Sequence, residues 1–224
     1  MEIGAIMRLF IFVDKNNEYG IICLGLVDKM KNNKIDNITL VIIIINILMY
    51  LYAFFLYGNH AIKGLNNKEA IKIGGFGTLE EPINLFVSLF VHGSLVHLIT
   101  NLVSLYLIGM AIRILNFKKL YIVIYILTGI IGNITTVLII ENTVSIGASG
   151  AISGIIGFLL IELYCNENTK ELAVPIYILA VGMMIANIFD VNANVISHII
   201  GLVSGFLLYL IIYAYKKVKE GEKI

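Results

Sequence analysis

Runs of about twenty residues with almost no charge recur along this chain, and they limit its fold more than any other feature. Ile38–Tyr57 is the first, and Leu95–Ile112, Leu120–Ile140, Thr143–Leu163, Leu172–Phe189 and Val195–Tyr213 follow. A bilayer core about 30 Å thick needs roughly 20 apolar residues to cross as a helix. Inside it each backbone N–H and C=O must find a partner within the protein, so such runs become helices. The composition agrees, since 59% of the 224 residues are hydrophobic and 14% are charged. A soluble domain carries about 25% charged residues. The expected fold is therefore all-α: a membrane protein of six transmembrane helices.

The remaining segments fall around those spans. Residues 1–37 are mixed in character and read as a short cytoplasmic extension, and residues 214–224 as a basic cytoplasmic tail. Gly58–Glu81 is a long loop with Gly64, Gly74, Gly75 and Gly77 and with apolar side chains such as Ile71 and Phe76. Its length and character suggest a segment that lies partly in the membrane interface. Arg113, Lys118 and Lys119 follow the second span, and Lys216, Lys217 and Lys219 follow the sixth. Together with the lysines before Ile38 they fall on one side, which the positive-inside rule makes the cytoplasm. The first run starts too far into the chain, and is too long, for the core of a secretory leader. A net charge of +1 with no basic stripe points away from nucleic acid. Cys23 and Cys165 form no metal or redox spacing, and no HExxH accompanies His92 and His97, so neither metal nor cofactor is expected.

Polar residues inside such spans are costly and call for a reason. Ser149 sits in Ser145-Ile-Gly-Ala-Ser-Gly-Ala-Ile-Ser-Gly154, where Gly147 and Gly150 leave its hydroxyl unshielded. The second, fourth and sixth spans run in the same direction. Counted from their starts at about 1.5 Å per residue, Ser149, His198, His97 and Asn101 all lie roughly 5–10 Å deep. His97 and Asn101, four apart, share a helix face. Gly201 and Gly205 form a small-xxx-small pair that allows close helix approach. Ser149 and His198 can therefore meet. A serine hydroxyl needs such a base to become a nucleophile, and neutral histidine has a suitable pKa near 6.5. Asn and His side chains, with the Ser149 backbone N–H, can supply donors for an oxyanion. The plain alternative is that the small residues form a packing face and Asn101 bridges helices.

Three motifs carry a family resemblance. His92-Gly-Ser-Leu-Val-His97-Leu-Ile-Thr-Asn101 has the form H-x4-H-x3-N, Gly147-Ala-Ser149-Gly150 the form G-x-S-G, and His198-Ile-Ile-Gly201-Leu-Val-Ser-Gly205 the form H-x2-G-x3-G. In this order, on the second, fourth and sixth spans, they resemble the rhomboid family of intramembrane serine proteases. The resemblance covers about Ile38–Tyr213. It implies that Ser149 is the nucleophile, His198 the general base, and His97, Asn101 and the Ser149 amide the oxyanion hole. It also implies a membrane-embedded first loop and a mobile fifth span. The chain departs from common members in having Ile83-Asn84 where many carry Trp-Arg, Ile112-Arg113 where many carry a Glu, and Ser153 where some carry an aromatic ring.

The expected activity is hydrolysis of peptide bonds in or near transmembrane segments of other membrane proteins. The expected setting is the plasma membrane of a prokaryote, with both termini cytoplasmic. The alternative is a catalytically inactive rhomboid-like scaffold that holds membrane-protein clients. A small transporter would be expected to show an inverted repeat or an intramembrane charge pair, and the sequence has neither.

Overall fold

A computed structural model describes residues 35–166 and 194–220, together with Ile176, Ile178, Val181 and Gly182. The extension before residue 35 and nearly all of the expected fifth span, Leu172–Phe189 with Pro175, lie outside the described residues.

Helix α1 spans Asn37–Tyr57. Asp36 caps it by accepting from the Ile38 and Thr39 amides, and Gly58 stops it with φ 51°. The segment after it is not a bare loop. It holds two short helices, α2 (Asn59–Lys63) and α3 (Asn67–Lys72), the second opened by a reciprocal capping box between Asn66 and Glu69. Helix α4 (Asn84–Val87) then runs into a 3-10 turn at Ser88–Phe90. Helix α5 (Leu95–Ile114) is capped by Ser94, whose Oγ accepts from the His97 amide at 3.1 Å. Helix α6 covers Lys118–Ile139, α7 Ser149–Cys165 and α8 Val195–Glu220.

Among the described residues four helices, α1, α5, α6 and α8, are long and apolar enough to cross a membrane. Large apolar side chains on α1 such as Leu48 and Phe55 face outward, 59% and 85% exposed, as lipid-facing residues must. Helix α7 has 17 residues and sits in the middle, buried at every position from Ser149 to Leu159. It packs against α8 and α6, and α1 packs on α5. A helix apolar all round belongs in the interior. The main core gathers Tyr121, Tyr125 and Phe158 with Ile108, Ile112 and Ile152. A smaller cluster, including Tyr50, Ala61, Ile73, Val91 and Leu98, fastens the segment after α1 beneath α1 and α5.

The start of α7 differs from the sequence expectation. The apolar run begins at Thr143, but the helix begins at Ser149. Residues 145–147 are held out of helical geometry from both sides. Ser145 pairs with Phe76 as an isolated antiparallel bridge, with N···O distances of 2.8 and 3.0 Å. Gly147 adopts φ 104° and donates its amide to the Ser88 carbonyl at 2.8 Å. Non-helical backbone at membrane depth is tolerated where protein pairs its polar groups, and the segment between α1 and α5 does that here. At the other end of the bundle α8 continues past Tyr213 to Glu220.

Candidate active site

The α7–α8 contact is made by backbone. A Cβ on Gly201 would collide with the Gly150 carbonyl oxygen, and one on Gly205 with that of Gly154. Gly150 in turn leaves room for the Ser197 side chain. The small residues predicted to let two helices approach closely do so, at the end of the pair that carries Ser149 and His198. Those two meet directly: His198 Nε2 lies 2.6 Å from Ser149 Oγ. Ser149 is 9% exposed and His198 is partly exposed, so the pair is covered but not sealed.

The shift in the start of α7 matters for Ser149. Well inside a helix its amide would already be bonded four residues back. As the first helical residue it precedes the first rung, which is Ile152 N to Ala148 O at 2.9 Å. The amides of Ser149, Gly150 and Ala151 thus have no carbonyl four residues back within the helix. The helix dipole adds about half a positive charge at the same end. Negative charge developing beside Ser149 would be stabilised by both.

His97 and Asn101 project from α5. The His97 ring lies against the Gly147 backbone, where an added Cβ would stand 2.6 Å from Nε2. Gly147 is therefore required twice, for its left-handed φ and for this contact. On its other side His97 meets His92 edge-on, with ring centroids 5.0 Å apart at 67°. His92 is fully buried, and its Nδ1 lies 3.2 Å from the Phe90 carbonyl. Burial, and next the neighbouring His97, hold the His92 pKa well below the usual imidazole value, so it stays neutral. Asn101 is 4% exposed and donates an Nδ2 hydrogen to the His97 carbonyl at 2.8 Å. An amide nitrogen carries two hydrogens, which leaves the second for another acceptor.

The structure thus brings Ser149 and His198 into contact, sets His97 against Gly147 of the G-x-S-G motif, and buries Asn101 one turn beyond His97. Sequence reasoning passed over Ser88, Asn133, Ser145 and Asn194, which join α6, α8 and the lead-in to α7. Their signal is visible in retrospect: Asn133 places an amide in the middle of a largely apolar span, and Asn194 stands at the cap position before Val195.

Comparison with known proteins gives the family. The Rhomboid domain description matches residues 79–215. The chain is 33% identical to the "Putative rhomboid protease YdcA" of Bacillus subtilis (strain 168) over 127 residues, 55% of this chain and 64% of that one. It is 30% identical to Rhomboid-like protease 3 of Toxoplasma gondii over 141 residues, 60% of this chain and 52% of that one. It is 29% identical to RHOMBOID-like protein 4 of Arabidopsis thaliana over 149 residues, 65% of this chain and 36% of that one. In each case the matched part is less than two thirds of the relative's length. With the domain match spanning most of the membrane part, the chain belongs to the rhomboid family.

Proposed function

We propose that this protein is an intramembrane serine endopeptidase that uses Ser149 as nucleophile and His198 as general base. The observation that carries the reading is the 2.6 Å contact between His198 Nε2 and Ser149 Oγ. In this mechanism Ser149 Oγ attacks the carbonyl carbon of a scissile peptide bond as its proton passes to His198 Nε2. The carbonyl π-electrons move to oxygen, and the oxyanion is held by the Ser149 N–H with His97 and Asn101. Collapse breaks the C–N bond, and His198 returns its proton to the departing amine. Water, activated by the same histidine, then hydrolyses the acyl-enzyme and releases the acid.

The substrates are membrane proteins cut in or near a transmembrane segment. A helical peptide bond is already hydrogen-bonded and must unwind first, so helix-breaking residues near the cut should help. The protein is a multi-pass integral membrane protein. The proposed arrangement has six spans, with both termini on the cytoplasmic side of a prokaryotic plasma membrane and the segment between α1 and α5 lying partly in the membrane.

The test uses wild type and Ser149→Ala reconstituted in liposomes with a single-pass model substrate. Wild type should cleave it and react with a fluorophosphonate, and Ser149→Ala should do neither. Equal cleavage by the two would sink the mechanism. Binding of the substrate by wild type without cleavage or labelling would identify an inactive scaffold instead.

A further inference from the structure

Five buried or half-buried polar side chains form one hydrogen-bonded chain beside the Ser149–His198 contact. Thr136 Oγ lies 3.0 Å from Asn194 Oδ1 and shares its hydrogen with the Gly132 carbonyl at 2.8 Å. Asn194 Nδ2 donates to Ser145 Oγ at 2.8 Å, and Ser145 Oγ donates to Asn133 Oδ1 at 2.7 Å. Asn133 Nδ2 donates to Ser88 Oγ at 2.9 Å. Ser88, Asn133, Thr136 and Ser145 are each at most 2% exposed. Burying so many polar groups is unfavourable unless all are paired, and a side-chain network of this kind fixes one arrangement of the elements that it joins.

The elements joined are those that carry the dyad. Ser145 lies four residues before Ser149, on the segment leading into α7. Asn194 lies four residues before His198 and caps α8, its Oδ1 accepting from the Ser197 amide at 3.0 Å. The segment leading into α7 and the start of α8 are therefore joined at Ser145–Asn194, just upstream of the Ser149–His198 contact. The glycine contacts at Gly150–Gly201 and Gly154–Gly205 set how closely the two helices approach. The Ser145–Asn194 tie adds a side-chain constraint on the segments that lead into them. Asn133 and Ser88 hold the Ser145 end, and the Ser88 carbonyl also accepts from Gly147.

We infer that Ser145, Asn194 and Asn133 are positioning residues that set the distance and angle between His198 and Ser149. This rests on the dyad reading above. Loss of the tie should slow chemistry more than it weakens substrate binding, because misplacement of about 1 Å can cost on the order of 100-fold.

The experiment measures the rate of Ser149 labelling by a fluorophosphonate in the full chain, as the maximal rate and the half-saturating concentration, alongside the melting temperature. Ser145→Ala should lower the maximal rate about 10- to 100-fold with the half-saturating concentration unchanged, and Ser145→Thr, which keeps the hydroxyl, should recover most of it. Asn194→Ser tests the tie without removing the helix cap, since serine caps well but is too short to reach Ser145. It should be as slow as Ser145→Ala, and the double variant should be slower by less than the product of the two. If Asn194→Ser labels at the wild-type rate, Asn194 is only a cap and the inference falls while the dyad reading stands. If Ser145→Ala does not fold, Asn194→Ser alone decides. If wild type is not labelled at Ser149 at all, both readings fall together.

Discussion

The two ends of the α7–α8 pair are built from opposite materials. At the site end Gly150, Gly154, Gly201 and Gly205 bring backbone against backbone, and polar side chains fill the little space that remains. At the far end the filling is aromatic. Phe158 meets Tyr209 edge-on at 5.2 Å and Phe117 at 5.3 Å, Tyr209 stacks on Tyr213 at 6.0 Å, and Lys217 sits 5.5 Å from the Tyr213 ring centre. Rings fill volume and gain dispersion energy, but they can repack. Backbone contact gains less per residue and leaves no slack. The difference teaches a division of labour: the aromatic end supplies cohesion, and the glycine end supplies a fixed distance.

Four variants would break or sharpen that contrast. The largest effect should come from His198→Ala, which lowers cleavage by about 10⁴-fold or more and leaves the melting temperature nearly unchanged. A similar loss of both in a cleavage assay and a thermal scan would erase the contrast. Next is Asn101→Ala, which removes one proposed oxyanion donor and should cost about 2.7–4 kcal/mol in the barrier. Single-turnover cleavage should show it as a fall in rate at saturating substrate. Phe158→Ala should act at the other end, costing stability and not chemistry. Its loss should be about 3 kcal/mol, the low end for a buried ring, since lipid is as apolar as the side chain. The folded fraction, followed by labelling in detergent, should react within about twofold of wild type if the chemistry barrier moves by less than about 0.4 kcal/mol.

The smallest effect concerns His92. Burial depresses its pKa in the folded state. Its contribution is therefore whole above the unfolded value of about 6.5 and shrinks as pH falls from there towards the folded value. Stability followed by melting between neutral and mildly acid pH should decline, with the unfolding free energy falling by no more than about 1.4 kcal/mol per pH unit for one proton. His92→Gln should flatten that part of the curve. An unchanged slope would mean that acid acts elsewhere.

Much of this was legible in the chain because hydropathy is a local signal. The apolar runs give α1, α5, α6 and α8, Ser94 announces the start of α5, and the four-residue spacing of His97 and Asn101 fixes their common face. Ser149 and His198 could be paired from the depth and direction of their spans. What stayed hidden depends on partners remote in sequence. Thr143–Ala148 reads as helix because its side chains are apolar or small, but the bridge to Phe76, the Ser88 carbonyl and the Asn133 and Asn194 side chains keep Ser145–Gly147 out of the helix. Asn133 looks like a stray amide until Ser88 and Ser145 arrive from other segments. The Asn66–Glu69 capping box is local and could have been read, but the glycines around it say loop more loudly. The proposed positioning chain also bears on Ser153, where some members of the family carry an aromatic ring: a tie at Asn194 would hold the proposed base from its own helix start.

The dyad also has a place in time. Ser149 and His198 are 49 residues apart, as are Ser145 and Asn194. At about 5–20 residues per second, a ribosome delivers the second member of each pair roughly 2–10 s after the first. Through that interval the proposed nucleophile would be present without its proposed base, and the segment before it would lack its tether to α8. A nascent chain, or one truncated before α8, should therefore be harmless to the membrane proteins made beside it. Activity would begin only when α8 has inserted and both ties have closed.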